Sequence, residues 1–198
     1  EVKKSIFYAS IANDVNGNPS FRFKVNQGDI GAVSRINKDG ITVWERYIKV
    51  LPALTIKTID IKTDPKYNTT SINVSGTISN GAAYLNLAIN VNSPYAKTFY
   101  KKINQIDPSK PVVFQTYLHF SAGSKPTLLV IQDGEKIPTM DIPGVPSLIW
   151  ETVGTRQLPT NGSKYAVEQF YLNNIKEYIN KHNLIYTPKV ETPATPSA

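Results

Sequence analysis

Hydrophobic and polar residues alternate over much of this chain, a pattern that predicts strands rather than helices. The alternation is clearest in residues 70–79 and 82–92, which an Asn80-Gly81 turn separates. In each segment apolar side chains recur at every second position, except at Gly76, and the residues between them are mostly Ser, Thr and Asn. The predicted inward-facing residues are Ile72, Val74, Ile78, Leu85, Leu87, Ile89 and Val91.

The order of the predicted elements gives the fold class. Strands are predicted at 48–62, 70–79, 82–92, 111–121 and 126–133, with a short helix at 93–106. Strand, strand, strand, helix, strand, strand is the order of an OB-fold, a five-stranded barrel. We therefore expect a mainly β protein with an OB-fold barrel over residues 48–134, an N-terminal β extension and a C-terminal α-helix.

The remaining segments are interpreted around that barrel. Residues 1–47 contain an alternating strand at 21–25 and an Asp39-Gly40 hairpin signal, which predict a small sheet packed on the barrel. The Pro- and Gly-rich residues 135–162 are predicted to wrap the barrel, with Leu148-Ile149-Trp150 as their anchor. Residues 163–186 have helical spacing with Ser163 as N-cap, and residues 187–198 are expected to be disordered.

Three local features refine the barrel. A phase shift between Lys57 and Thr58 predicts a bulge in the first strand, and Gly76 marks a bend or bulge in the second. In the predicted helix, Tyr95, Phe99 and Tyr100 are spaced so that they could pack into one end of the barrel and close it. This interpretation is favoured over a binding surface.

Composition narrows the function classes. The chain of 198 residues has a formal net charge of +7, which favours an anionic partner. It has no cysteine, so disulfides and thiol catalysis are excluded, and a cytoplasmic location is expected. No apolar run reaches the length that a membrane span needs. With two isolated histidines and no catalytic motif, we expect no enzyme, no metal and no cofactor.

Single-stranded nucleic acid is the predicted ligand, because its binders combine a cationic groove with aromatic stacking surfaces. Tyr84, Tyr67 and Trp44 are the stacking candidates, although packing at a barrel rim or beside the core explains Tyr67 and Trp44 equally well. An alternative role of the lysines is to keep the protein soluble through their charge. The predicted nucleic-acid-binding residues are Tyr84, Tyr67, Trp44, Lys57, Lys62, Lys66, Asn73, Asn86, Arg46, Arg22, Lys24 and Lys125.

Three stretches carry a family resemblance: residues 28–45, the strand pair 71–91, and residues 103–112. With these stretches the chain resembles a bacteriophage single-stranded DNA-binding protein of OB-fold type. The resemblance implies coating and protection of single-stranded DNA during phage replication or recombination, in the host cytoplasm and without a cofactor. It also implies replication or recombination proteins as further partners.

Two other function classes stay open at this point. Abundant Asn, Thr and Ser with Pro/Gly-rich loops are also found in structural virion or surface β-domains. OB-type barrels also hold oligosaccharides, so a carbohydrate-binding β-domain is the second alternative. A preference for RNA over DNA depends on contacts to the 2′-hydroxyl, which the sequence does not reveal.

Overall fold

The computed structural model describes residues 5–118 and 125–187, and over these residues the protein is mainly β with a C-terminal helix. The strands are β1 Ser5–Asn13, β2 Pro19–Lys24, β3 Val33–Ile36, β4 Thr42–Ile48, β5 Thr55–Asp64, β6 Thr69–Ile78, β7 Ala83–Asn90, β8 Val112–Tyr117, β9 Thr127–Gln132, β10 Glu135–Lys136, β11 Trp150–Val153 and β12 Arg156–Pro159. The helices are α1 Pro94–Tyr100 and α2 Asn161–Lys181, with short 3-10 turns at Ser79–Gly81 and Ile103–Gln105.

The N-terminal strands belong to the same sheet as the central ones. A seven-stranded sheet has the order β3-β4-β2-β1-β7-β6-β5, in which β1 pairs parallel with β7 and antiparallel with β2. The expectation of a separate small sheet packed on a barrel is therefore wrong. The reason is β1, which sequence reasoning did not recognise: its backbone bonds to β7 along one edge and to β2 along the other.

A second sheet, β10-β9-β8, joins the first through the chain between β4 and β5. Isolated bridges pair Val50 with Gln115 and Leu54 with Val112. Closing these strands into a barrel would require β9 to pair with β7. The free edge of β7 is instead occupied by β1, and that of β9 by β10. Accordingly, no closed barrel is detected within residues 5–118 and 125–187.

The predicted alternation in β6 and β7 is confirmed. The seven residues predicted to face inward are at most 6% exposed, and they form one core with residues of β8, β9, α1 and α2. Tyr95, Phe99 and Tyr100 are also buried, which agrees with their predicted place in the core, although no closed barrel is detected in the described residues for them to plug. In β8, Val112, Phe114 and Thr116 face this core.

The predicted bulge in β5 lies opposite Gly76 of β6, where the backbones of the two strands come close together. The register between β5 and β6 shifts between Ile56 and Thr58, which leaves Lys57 as the extra residue. A Cβ atom at Gly76 would lie 2.0 Å from the carbonyl oxygen of Thr55 and 2.8 Å from its carbonyl carbon. Only glycine fits this position while the strands keep their register.

The C-terminal third departs from prediction in two places. Helix α2 has Thr160 as its N-cap, with the Ser163 backbone N–H donating to Thr160 Oγ1 at 3.3 Å, so the predicted cap at Ser163 is wrong by one turn. The wrapping segment forms the β11–β12 hairpin, and its predicted anchor is wrong because Leu148, Ile149 and Trp150 are 39%, 65% and 57% exposed. The predicted disordered tail lies, apart from residue 187, outside the described residues.

Candidate functional site

The seven-stranded sheet has one apolar and one polar face. Phe21 and Phe23 of β2 point into the core, and the residues between and after them, Arg22 and Lys24, point to the other side. The registers of the neighbouring strands extend this division across the sheet. Residues that share the polar face with Arg22 include Tyr8, Ser10, Glu45, Tyr47, Asn73, Ser75, Tyr84 and Asn86.

An open groove of about 510 Å³ lies on this polar face. Its lining includes Arg35 of β3 and Asn73 of β6, which are five strand positions apart in the sheet. In a flat sheet these strands would be roughly 24 Å apart, because neighbouring strands are separated by about 4.8 Å. One groove includes both residues because the sheet curves and makes its polar face concave.

A contact between two hairpin tips is consistent with this curvature. Lys38 lies in the turn between β3 and β4, and Tyr67 lies in the turn between β5 and β6, at opposite edges of the sheet. The Nζ atom of Lys38 is nevertheless 5.7 Å from the ring centroid of Tyr67. Strong twist brings diagonally opposite corners of the sheet together.

Glu45 organises the charges at one end of the groove. Both guanidinium nitrogens Nε and Nη2 of Arg35 donate to its carboxylate, at 2.9 and 2.7 Å, and the Tyr47 hydroxyl donates at 2.7 Å. The Nε atom of Arg22 is 3.7 Å away. The hydrogen bonds from Arg35 hold the pKa of Glu45 below its ordinary value, although burial opposes this. Burial, aided by the Glu45 carboxylate, raises the pKa of Tyr47.

The groove has an excess of positive charge. Arg22, Lys24 and Arg35 line it together with the single carboxylate of Glu45. Glu45 is only 2% exposed, whereas the side chain of Arg35 is 40% exposed and that of Arg22 is 33% exposed. The carboxylate therefore orients the two guanidinium groups from below while both stay accessible to a ligand.

Amide and hydroxyl groups line the other wall. The Asn86 side-chain amide donates to Ser75 Oγ at 2.7 Å, and that of Asn73 donates to Ser71 Oγ at 3.2 Å. Arg22 Nε donates to Ser10 Oγ at 3.2 Å across the β1–β2 pair. These bonds fix the polar groups in place, and the 67% exposed ring of Tyr8 stands at the rim as an aromatic surface.

Of the predicted site residues, the structure brings four together in this groove: Arg22, Lys24, Asn73 and Asn86. Two more, Tyr84 and Lys62, lie on the same face outside the lining. Tyr84 precedes Asn86 by two residues on β7. Lys62 lies on the edge strand β5, 3.6 Å from Asp60 Oδ2 and 4.6 Å from the ring centroid of Tyr186.

Four further predicted residues, Tyr67, Lys66, Lys57 and Lys125, lie outside the groove lining. Tyr67 and Lys66 occupy the turn between β5 and β6, where Lys66 Nζ is 4.8 Å from the Tyr67 ring centroid. Lys57 is the exposed bulge residue of β5. Lys125 is exposed just before β9, and the rest of its predicted loop, residues 122–124, lies outside the described residues.

Trp44 and Arg46 lie on the opposite face from the groove. Arg46 pairs with Phe23 in the β2–β4 register, so both residues share the apolar side of the sheet, and Trp44 follows two positions away. Both are partly buried, and Arg46 Nε is a buried donor without a hydrogen-bond partner within the described residues. They do not belong to the groove, because strand alternation separates them from Glu45.

Sequence reasoning missed Tyr8, Ser10, Glu45 and Tyr47. Arg35 belongs to the same cluster of cationic residues as Arg22 and Lys24 in the sequence, but it was not among the predicted binding residues. For the β3–β4 residues a signal existed: the Asp39-Gly40 turn fixes a register in which Val33 faces Glu45 and Arg35 faces Val43, so Arg35 and Glu45 are diagonal neighbours. For Tyr8 and Ser10 no comparable signal existed, because residues 6–9 are all apolar and do not alternate with polar ones.

Comparison with known proteins finds no matching family model, no similar curated protein and no similar solved structure. Within residues 5–118 and 125–187, no group of three or more His, Asp or Glu side chains is arranged to hold a metal ion. The same residues contain no helix that is both long and apolar enough to cross a membrane.

Proposed function

We propose that this chain binds single-stranded nucleic acid along the concave polar groove. The observation that carries the proposal is the convergence of Arg22, Lys24 and Arg35 beside one buried carboxylate, within a groove that also has amide groups and an exposed tyrosine. Guanidinium and ammonium groups bind phosphates, amides bind base edges, and an exposed aromatic ring stacks on bases. No sequence preference is built into such a site.

The shape of the groove favours a single strand over a duplex. Proteins that read base edges in the major groove of duplex DNA insert a helix or a two-stranded ribbon into it. The polar face here presents no such element, whereas its concave shape can surround part of a single strand. Its volume of about 510 Å³ accommodates only a short part of a strand at one time.

The topology is compatible with an OB-related origin. Between residues 49 and 132 the elements follow one another along the chain as in that fold, although their strands do not pair into a closed barrel, and isolated bridges join the β4–β5 junction to β8. Here β1 takes the position at which the last strand would close the barrel. We propose an opened variant of that fold, acting in the coating of single-stranded DNA during phage replication or recombination.

Charge removal in the groove tests the location of the site. We expect the double variant Arg22→Gln, Lys24→Gln to bind a labelled oligo-dT about ten- to thirtyfold more weakly at about 0.1 M salt, because each phosphate contact on a single strand contributes about 0.7 to the log–log salt slope. The slope itself should decrease by about 1.4. The readout is fluorescence anisotropy at several salt concentrations.

The matched control is Lys176→Gln, Lys181→Gln, which removes the same charge from two exposed residues of α2 outside the groove. It should bind nearly as the unchanged protein does. Equal losses in the two double variants would show a non-specific charge effect and overturn the assigned site. Thermal unfolding of each variant checks that the fold is intact.

Stacking is tested separately with Tyr8→Ala. Tyr8 is 67% exposed, so its removal should leave stability nearly unchanged. A stacked base contributes about 1–3 kcal/mol, so affinity for oligo-dT should fall at least about fivefold without a change in the salt slope. Unchanged affinity would exclude Tyr8 as a stacking surface and leave Tyr84 as the remaining candidate on this face.

A further inference from the structure

A second cavity, of about 450 Å³, lies between α1, α2 and the base of the β11–β12 hairpin. Its apolar walls include Tyr100, Tyr171, Leu148 and Val167. The rings of Tyr100 and Tyr171 are stacked with their centroids 4.8 Å apart. The cavity shares no lining residue with the groove on the sheet, so it is a separate feature of the molecule.

The rim of this cavity is mainly cationic. Lys97 from α1, Lys101 just after α1 and Lys164 from the first turns of α2 line it, together with the one carboxylate of Glu168. Lys101 is paired with Asp141 by hydrogen bond and charge. Lys97 and Lys164 are exposed to solvent, and they are therefore the groups available to an anionic ligand.

The hairpin beside the cavity has an unusually apolar surface. Ile149, Trp150 and Val153 are 65%, 57% and 53% exposed, and Leu158 is 43% exposed. The hairpin forms a two-stranded sheet of its own, and isolated hairpins are only marginally stable in water. Strand alternation places Trp150 on the same face as Pro159, which lines the cavity, and Val153 and Leu158 on the other face. Exposed apolar side chains beside a cavity are typical of surfaces that bind proteins.

We propose that this surface, formed by the cavity and the β11–β12 hairpin, binds an acidic peptide segment with a large apolar side chain. The apolar side chain enters the cavity against Leu148 and Tyr171, and the flanking carboxylates meet Lys97 and Lys164. The apolar walls of the cavity match a peptide side chain better than a sugar–phosphate strand.

The test uses a fluorescein-labelled peptide, Gly-Asp-Glu-Leu-Phe-Glu-Asp-Gly, with two companions. One companion has Asn and Gln in place of the acids, and the other has Ser-Ser in place of Leu-Phe. We expect saturable binding of the first peptide with a Kd below about 1 mM, and at least about fivefold weaker binding of each companion. Amide chemical-shift changes should be confined to residues around Lys97, Leu148 and Lys164.

Charge variants of the protein complete the test. Lys97→Gln, Lys164→Gln should weaken peptide binding about tenfold, while the matched control Lys176→Gln, Lys181→Gln, on exposed positions further along α2, should not. The inference is overturned by the absence of saturable binding, by equal effects of the two double variants, or by shifts that map to the sheet groove. Oligo-dT that displaces the peptide would assign the surface to nucleic acid instead.

Discussion

At the scale of single residues, Glu45 is the most consequential side chain of the site. Its buried carboxylate accepts hydrogen bonds from Arg35 and Tyr47 and lies close to Arg22, so it orients the two arginines of the groove. The acid that orients a cationic site is itself hidden from the ligand. A search of the sequence for exposed charged residues alone does not find such a buried acid.

Replacing this carboxylate has a defined consequence for stability. We expect Glu45→Gln to lower the free energy of unfolding by about 2 kcal/mol near neutral pH, because hydrogen bonds to a charged group are lost and Arg35 keeps an unmatched charge. Urea unfolding measures the change. The exposed Glu177→Gln serves as control and should change stability little.

The pH dependence follows from the direction of the pKa shift. The folded protein lowers the pKa of Glu45, so this group stabilises the fold above the ordinary glutamate pKa of about 4.3, and that stabilisation is lost as the pH falls through the lower folded value. Unfolding curves of the unchanged protein and of Glu45→Gln should therefore converge in acid. A difference that stays constant down to pH of about 2 would contradict the role of this carboxylate.

At the scale of elements, Gly76 shows how one position sets the register of two strands. A methyl group there would collide with the Thr55 backbone, so Gly76→Ala must displace β5 or β6. We expect a loss of about 2 kcal/mol or more in the free energy of unfolding. Gly162→Ala, in the first turn of α2 with no atom within 4 Å of the new Cβ, should be neutral or slightly stabilising.

What the sequence could predict at this scale follows from local pattern. Alternation placed β6 and β7 with the correct inward residues, and the phase shift at Lys57 located the bulge. The pairing of β1 with β7 could not be predicted in the same way. The two strands are far apart in sequence, and alternation within a strand does not specify which strand lies beside it. Alternation alone puts Trp44 and Glu45 on opposite faces of β4, but only the register with β2 shows which of the two faces belongs to the groove.

At the scale of the whole molecule, the sheet's curvature is what makes a site. Arg35 and Asn73 line one groove because the seven-stranded sheet bends, and the Lys38–Tyr67 contact lies where its corners meet. Composition predicted the excess of positive charge but could not say on which face it would gather. The same fold leaves a second, apolar and cationic surface around α1, α2 and the β11–β12 hairpin.

The central claim is tested most directly by anisotropy titrations of a labelled oligo-dT of about 20 nucleotides, from about 50 to about 500 mM salt, with duplex DNA as competitor. Two to three phosphate contacts in the groove predict a log–log slope of about −1.4 to −2.1 and poor competition by the duplex. No binding at the lowest salt, or equal competition by duplex DNA, would contradict the proposal that the groove holds a single strand.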